Sequence, residues 1–235
     1  IATLAVSCTN NQPDEFRWQI DNFDDIKVLR YQVPGFEELS LEEKELIYYL
    51  NQAAISGRDI LFDQNFKYNL AIRRTLEAIY TTYKGDKECA EWKAFEKYLK
   101  KVWFANGIHH HYGNDKFSPE FSQEYFLGEL IPNSDASQLP TDGFGSAENL
   151  LATITPAIFD ESLYESKLVQ ADGVDVLKAS SMNYYEGVTQ AEAEKFYAKM
   201  HKPNDKTPIS YGLNSKLVKK DGKIYEQTYK VGGMY

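Results

Sequence analysis

Apolar residues recur at helical spacing through the first half of the chain. In "SLEEKELIYYLNQAAISG", Leu46, Leu50 and Ala53 or Ala54 fall on one side of a helix; Ser40 and Glu43 have capping-box spacing and Gly57 can end it. A second pattern puts Leu70 or Ile72, Leu76, Ile79 and Tyr83 on one face, sets Arg73 and Glu77 four apart on another, and is followed by Gly85. A third starts near Asp86 and carries Trp92, Phe95, Leu99 and Val102 as its apolar stripe, with Lys93, Glu96, Lys97 and Lys100 between them. Short connections predict that these three helices pack as roughly antiparallel neighbours.

On either side the period changes. Upstream, "KVLRYQV" predicts a strand stopped by Pro34-Gly35. "NSDASQLPTDGFGS", Asn133 to Ser146, reads as a long surface loop. Helices resume over Ser146 to Phe159 and Gln190 to Lys202, the latter with Thr189 and Glu192 at capping-box spacing. Near the end, apolar residues alternate on both sides of Asp221-Gly222, which predicts paired strands over Leu213–Lys219 and Lys223–Val231. A two-stranded ribbon alone is marginal, so this hairpin should join a larger sheet. The predicted class is α+β and mainly α-helical: a helical bundle followed by a C-terminal β-hairpin that joins a small sheet or barrel.

Composition adds limits. With 43% hydrophobic residues in 235, the chain can form one large core or two small ones. Its 26 basic against 35 acidic residues, a net charge of -9, argue against a nucleic-acid groove, which needs a cationic surplus to neutralise phosphates. The only cysteines are Cys8 and Cys89, too few for a disulfide framework or a Cys-rich zinc module. Cys89 reads as a small core or boundary residue. Cys8 ends "IATLAVSC", which is similar to the tail of a bacterial secretory segment finishing at a lipid-modified cysteine. Residues 1–8 are therefore expected to be a signal or lipoprotein remnant with a possible lipid anchor at Cys8, and the location to be the cell envelope, with the cytoplasm as alternative. No segment reaches membrane-spanning length.

Candidate chemistry centres on "NGIHHHYGNDKF", which holds three of the four histidines. A helical zinc pair needs histidines four apart so that both imidazoles face one side. Consecutive residues diverge by about 100° on a helix and alternate faces on a strand, so His109, His110 and His111 supply at most one or two ligands to one metal. The loop is thus expected to be either a partly solvated turn ordered by hydrogen bonds or a segment lining a substrate site. Gly107 and Gly113 bracket the histidines and allow tight turns and close backbone approach. No nucleophile elbow, P-loop or dinucleotide fingerprint is present. His201, at the end of a helical pattern, is expected to interact with a helix C-terminus, and Asp24-Asp25 and Glu42-Glu43 to be solvated. No complete catalytic constellation and no metal-ligand set is visible.

Taken in order, "LSLEEKELIYYLNQAAISG", "NGIHHHYGNDKF", "YYEGVTQAEAEKFYAKM" and "LNSKLVKKDGKIYE" resemble the N-terminal part of the dipeptidyl peptidase III family, close to its Bacteroides-type members. The resemblance covers Phe16 to Tyr235. It implies a two-lobed zinc exopeptidase that releases dipeptides from the N-termini of oligopeptides, with residues 9–235 as the N-terminal portion of the lower, non-zinc lobe. The family's zinc is held by a His-Glu-x-x-Gly-His motif and a downstream Glu, neither of which occurs here, so the zinc ligands and the rest of the chain would lie outside this segment. In the family the corresponding loop borders the cleft with an aromatic residue before a glycine, which falls on Tyr112 and Gly113. The implied substrate-binding residues are Tyr112, Gly113, Gly107 and His110, with no catalytic residue in this segment. Two other classes are weighed beside it: a free-standing envelope peptide-binding or interaction module, and a small metal-binding protein using the histidines.

Overall fold

A computed structural model describes residues 16–207 and 209–231. Cys8 and the expected remnant 1–8 lie outside the described residues. The chain divides into two compact units, 1–48 and 49–235.

In the first unit, strands β1 (Gln19–Phe23) and β2 (Ile26–Leu29) form an antiparallel hairpin. The turn between them uses Asp24 at φ 52°, a left-handed conformation that Asp tolerates better than most residues. The "KVLRYQV" strand is therefore shorter than expected and has a local partner. Helix α1 (Leu41–Ser56) begins with the expected capping box: the Ser40 N–H donates to Glu43 and the Glu43 N–H to the Ser40 hydroxyl.

Helix α1 runs across the unit boundary, and none of its residues is buried. The expected core face of Leu46 and Leu50 is solvent-exposed. Leu46 to Leu50 is a run of five apolar or aromatic residues, so apolar side chains point in every direction around the helix instead of forming one stripe.

The second unit contains the main core. Helix α2 (Arg58–Asn65) follows at once after Gly57, where only a helix stop was expected. It leads into α3 (Asn69–Thr82), α4 (Ala90–Ala105), a short α5 (Gln123–Tyr125) that continues as a π-helical turn (Phe126–Leu130), and α6 (Ala147–Phe159). α3 packs against α2, α4 and α6. The predicted stripes hold: Ile72, Leu76, Ile79 and Tyr83 of the α3 pattern and Trp92, Phe95, Leu99 and Val102 of α4 are buried in one cluster. Arg73 and Glu77 form the expected ion pair at 3.3 Å. α4 starts later than Asp86 because Cys89 caps it, its sulfur accepting the Trp92 N–H.

Beyond a four-residue α7 (Val176–Ala179), strand β3 (Tyr185–Glu186) precedes α8 (Gln190–Ala198), which carries the predicted Thr189–Glu192 capping box. Strands β4 (Ser215–Lys220) and β5 (Lys223–Thr228) pair around Asp221 and Gly222, both at positive φ as such a two-residue turn requires. β3 joins β4 in parallel, giving an open three-stranded sheet in the order β3-β4-β5 and no barrel among the described residues. The sheet and α8 share a second, smaller cluster of Val188, Ala193 and Leu217. The fold is thus α+β, as predicted. α8 ends at Ala198, so His201 does not close its last turn; its ring lies 5.5 Å from that of Tyr211.

Candidate functional site

The segment Asn106–Phe117 begins where α4 stops. Asn106 takes the left-handed conformation of a helix C-cap (φ 53°), and Gly107 follows at φ 145°. Two side chains of the preceding helices hold this corner. Asn65 donates to the Asn106 carbonyl at 3.0 Å; Asn69, fully buried, donates to the Phe62 carbonyl at 3.1 Å and accepts the Ile108 N–H at 3.1 Å. A Cβ on Gly107 would stand 2.0 Å from the Asn69 amide nitrogen, so the close approach expected of this glycine is real.

From Ile108 the chain folds back on itself. The Phe117 N–H donates to the Ile108 carbonyl at 2.8 Å and the His110 N–H to the Asp115 carbonyl at 2.7 Å. The return arm then pairs with residues 164–167: the Lys116 N–H donates to Glu165 and the Lys167 N–H to Asn114. Lys116 adds a second anchor. Its ammonium donates to the carbonyl of Ala157 in the last turn of α6 and to those of Asp160 and Leu163 in the turn that follows. Burial holds this ammonium below its ordinary pKa.

Each histidine does something different. His109 is buried, and its Nε2–H donates to the Tyr164 carbonyl at 2.8 Å, while Nδ1 has no partner. Burial, reinforced by the Lys167 and Lys116 charges and opposed by the Tyr164 bond, pulls its pKa down to about 4. His109 is therefore a neutral core residue whose ring meets the edge of Phe66 at 5.8 Å. His110 turns the loop: its Nδ1 accepts the Gly113 N–H at 2.8 Å and the Tyr112 N–H at 3.2 Å. His111 stacks on His110 at 4.4 Å, with the Tyr112 ring tilted against it at 4.4 Å and Phe104 edge-on at 4.9 Å.

Tyr112 is the outermost residue, 85% exposed, on a backbone fixed by the His110 ring. Gly113 does not have the positive φ that a turn glycine would suggest; Asn114 carries it, at 66°. What limits Gly113 is space, since a Cβ would lie 3.0 Å from the Asp115 carboxylate and 3.4 Å from His110. Of the four residues predicted to bind substrate, Tyr112 is presented to solvent, while Gly107, Gly113 and His110 shape the loop that presents it.

The loop also backs a cleft of about 850 Å³ through Phe66 and Tyr164, which touch His109 and line the cleft. Lys67, Ser181, Asn183 and Lys216 are among its polar lining. Lys67 sits over the Tyr68 ring at 4.7 Å and that of Tyr164 at 5.7 Å, and Lys216 pairs with Glu186 at 3.3 Å. Sequence reasoning missed this cleft because its walls come from segments about a hundred residues apart and carry no motif. Among the described residues no group of three or more His, Cys, Asp or Glu is placed to hold a metal ion, and no helix is long and apolar enough to cross a membrane.

No protein-family model matches the chain, and no curated protein matches it.

Proposed function

We propose that residues 9–235 form the N-terminal portion of the lower lobe of a dipeptidyl peptidase III-type peptidase, which releases dipeptides from the N-termini of oligopeptides. The observation that carries this reading is the order and spacing of four sequence blocks within one chain. Tyr112 supports it: an exposed aromatic ring on a loop already ordered by His110 loses little freedom on meeting a ligand. On this reading zinc is held by a His-Glu-x-x-Gly-His motif and a downstream glutamate outside these residues. Within the described residues no group of three or more His, Cys, Asp or Glu is placed to hold a metal ion, so this reading puts none of its zinc ligands here. The segment supplies scaffold and part of the cleft, and by itself is expected to be inactive.

The coding sequence beyond Tyr235 tests the proposal. It should encode the zinc motif within a few hundred residues, and its absence removes the peptidase reading. A second reading, a free-standing envelope peptide-binding module, is favoured by a cleft of about 850 Å³ built wholly from this chain. It requires the open reading frame to stop near Tyr235 and the purified chain to bind oligopeptides without zinc.

A further inference from the structure

Helix α1 is a regular helix of 16 residues with a complete capping box, yet among the described residues from 16 to 56 none is buried. Helices of this length are marginal in water unless an apolar face is packed. Around the helix, at about 100° per residue, Leu46, Ile47, Ala53 and Ala54 all lie within about 60° of Leu50. Leu46, Ile47 and Leu50 are 44% to 60% exposed, and both alanines are exposed. The face is therefore bulky at its N-terminal end and small at its C-terminal end. Turned end for end about Leu50 it fits itself: Leu46 meets Ala53, Ile47 meets Ala54, and Leu50 meets Leu50.

We propose that this face pairs two copies of the chain, α1 against α1, in an antiparallel and two-fold symmetric contact. Charge selects the direction. The first turn of α1 carries Glu42 and Glu43 and its last turn no basic residue, while Arg58 stands just beyond, at the start of α2. Antiparallel pairing brings Glu43 of one copy towards Arg58 of the other and opposes the two helix dipoles favourably; parallel pairing would set the two acidic first turns side by side. The alanines let the helices approach closely where the bulky side chains of the other copy arrive. A contact one short helix long is small, so the pair is weak, with a Kd on the order of 10–100 µM. The inference stands apart from the peptidase reading, since it uses only α1 and Arg58.

Sedimentation velocity over a concentration series should show a monomer–dimer equilibrium in that range, weakened at least about tenfold by Leu50→Glu, which puts two carboxylates on the symmetry axis. A chain that stays monomeric to about 1 mM, or a dimer indifferent to Leu50→Glu, overturns the proposal. Disulfide trapping checks the direction, with Cys8 and Cys89 replaced by serine. On mild oxidation, Leu46→Cys and Ala53→Cys chains mixed together should cross-link to each other. Leu46→Cys alone should not, because its two copies would lie about 12 Å apart along the helices, beyond the roughly 7 Å a disulfide spans. A disulfide-linked dimer of Leu46→Cys alone, or no mixed product, overturns the antiparallel pair. Protein made from the complete coding sequence should dimerise as well; if it is monomeric, the rest of its own chain covers α1 and the proposal fails.

Discussion

Gly107 stands where any side chain would collide with the amide that ties the loop to α3, at a φ of 145° that L-residues rarely adopt. Gly107→Ala should cost about 3 kcal/mol in urea unfolding, because it strains the backbone and also breaks the Asn69 hydrogen bonds. His109 gives a pH signature. Its folded pKa of about 4 lies below its ordinary value of 6.5, so the folded state favours the neutral ring and the unfolded chain takes up the proton first. The resulting stability is present above pH 6.5 and is lost as the pH falls towards 4, about 3 kcal/mol in all. The stability difference between the unmodified chain and His109→Gln should therefore shrink between pH 7.5 and 4.5; a constant difference would contradict the assignment. The need for Gly107 was legible in the sequence. Which histidine is buried was not: a run of three has no period, and the deciding partner, Tyr164, is 55 residues away.

Elements with one apolar stripe were read correctly and the element without one was not. α3 and α4 carry narrow stripes and both bury them. The spacing of Leu46 and Leu50 in α1 looked the same, but Ile47, Tyr48 and Tyr49 between them removed the polar face that gives such spacing its meaning. Leu50→Glu, at a position 60% exposed, should change the stability of this chain by less than about 0.5 kcal/mol. Leu76→Ala, in the core at 0% exposure, should cost about 2–5 kcal/mol. Equal losses in chemical denaturation would show that α1 is packed after all. The C-terminal hairpin was legible because Asp-Gly fixes both turn and register. Its third strand was not, since Tyr185–Glu186 is too short to show any alternation.

At the scale of the whole second unit, polar contacts join the helices to the sheet end of the chain. Asp63 of α2 accepts from Tyr229 at 2.5 Å and from Asn183, while Gln64 donates to the Leu213 carbonyl at 3.0 Å. Tyr229→Phe should loosen this join and cost about 1–3 kcal/mol, because Asp63 loses a charge-assisted bond in a partly buried setting. A sequence pattern shows where an element is apolar, but not which two polar residues 166 positions apart will meet. The join fixes the sheet against the helices that also anchor the histidine loop, so Tyr112 is carried by a braced scaffold. The central claim is that this scaffold belongs to a dipeptide-releasing peptidase and that Tyr112 holds its substrate. The most direct test is mass spectrometry of products from an unblocked oligopeptide, using protein made from the complete coding sequence, with and without Tyr112→Ala. The account predicts release of N-terminal dipeptides, and for the variant a several-fold higher KM with unchanged zinc content. No dipeptide release from the complete protein would contradict the peptidase reading, and unchanged kinetics in the variant would remove Tyr112 from the substrate site.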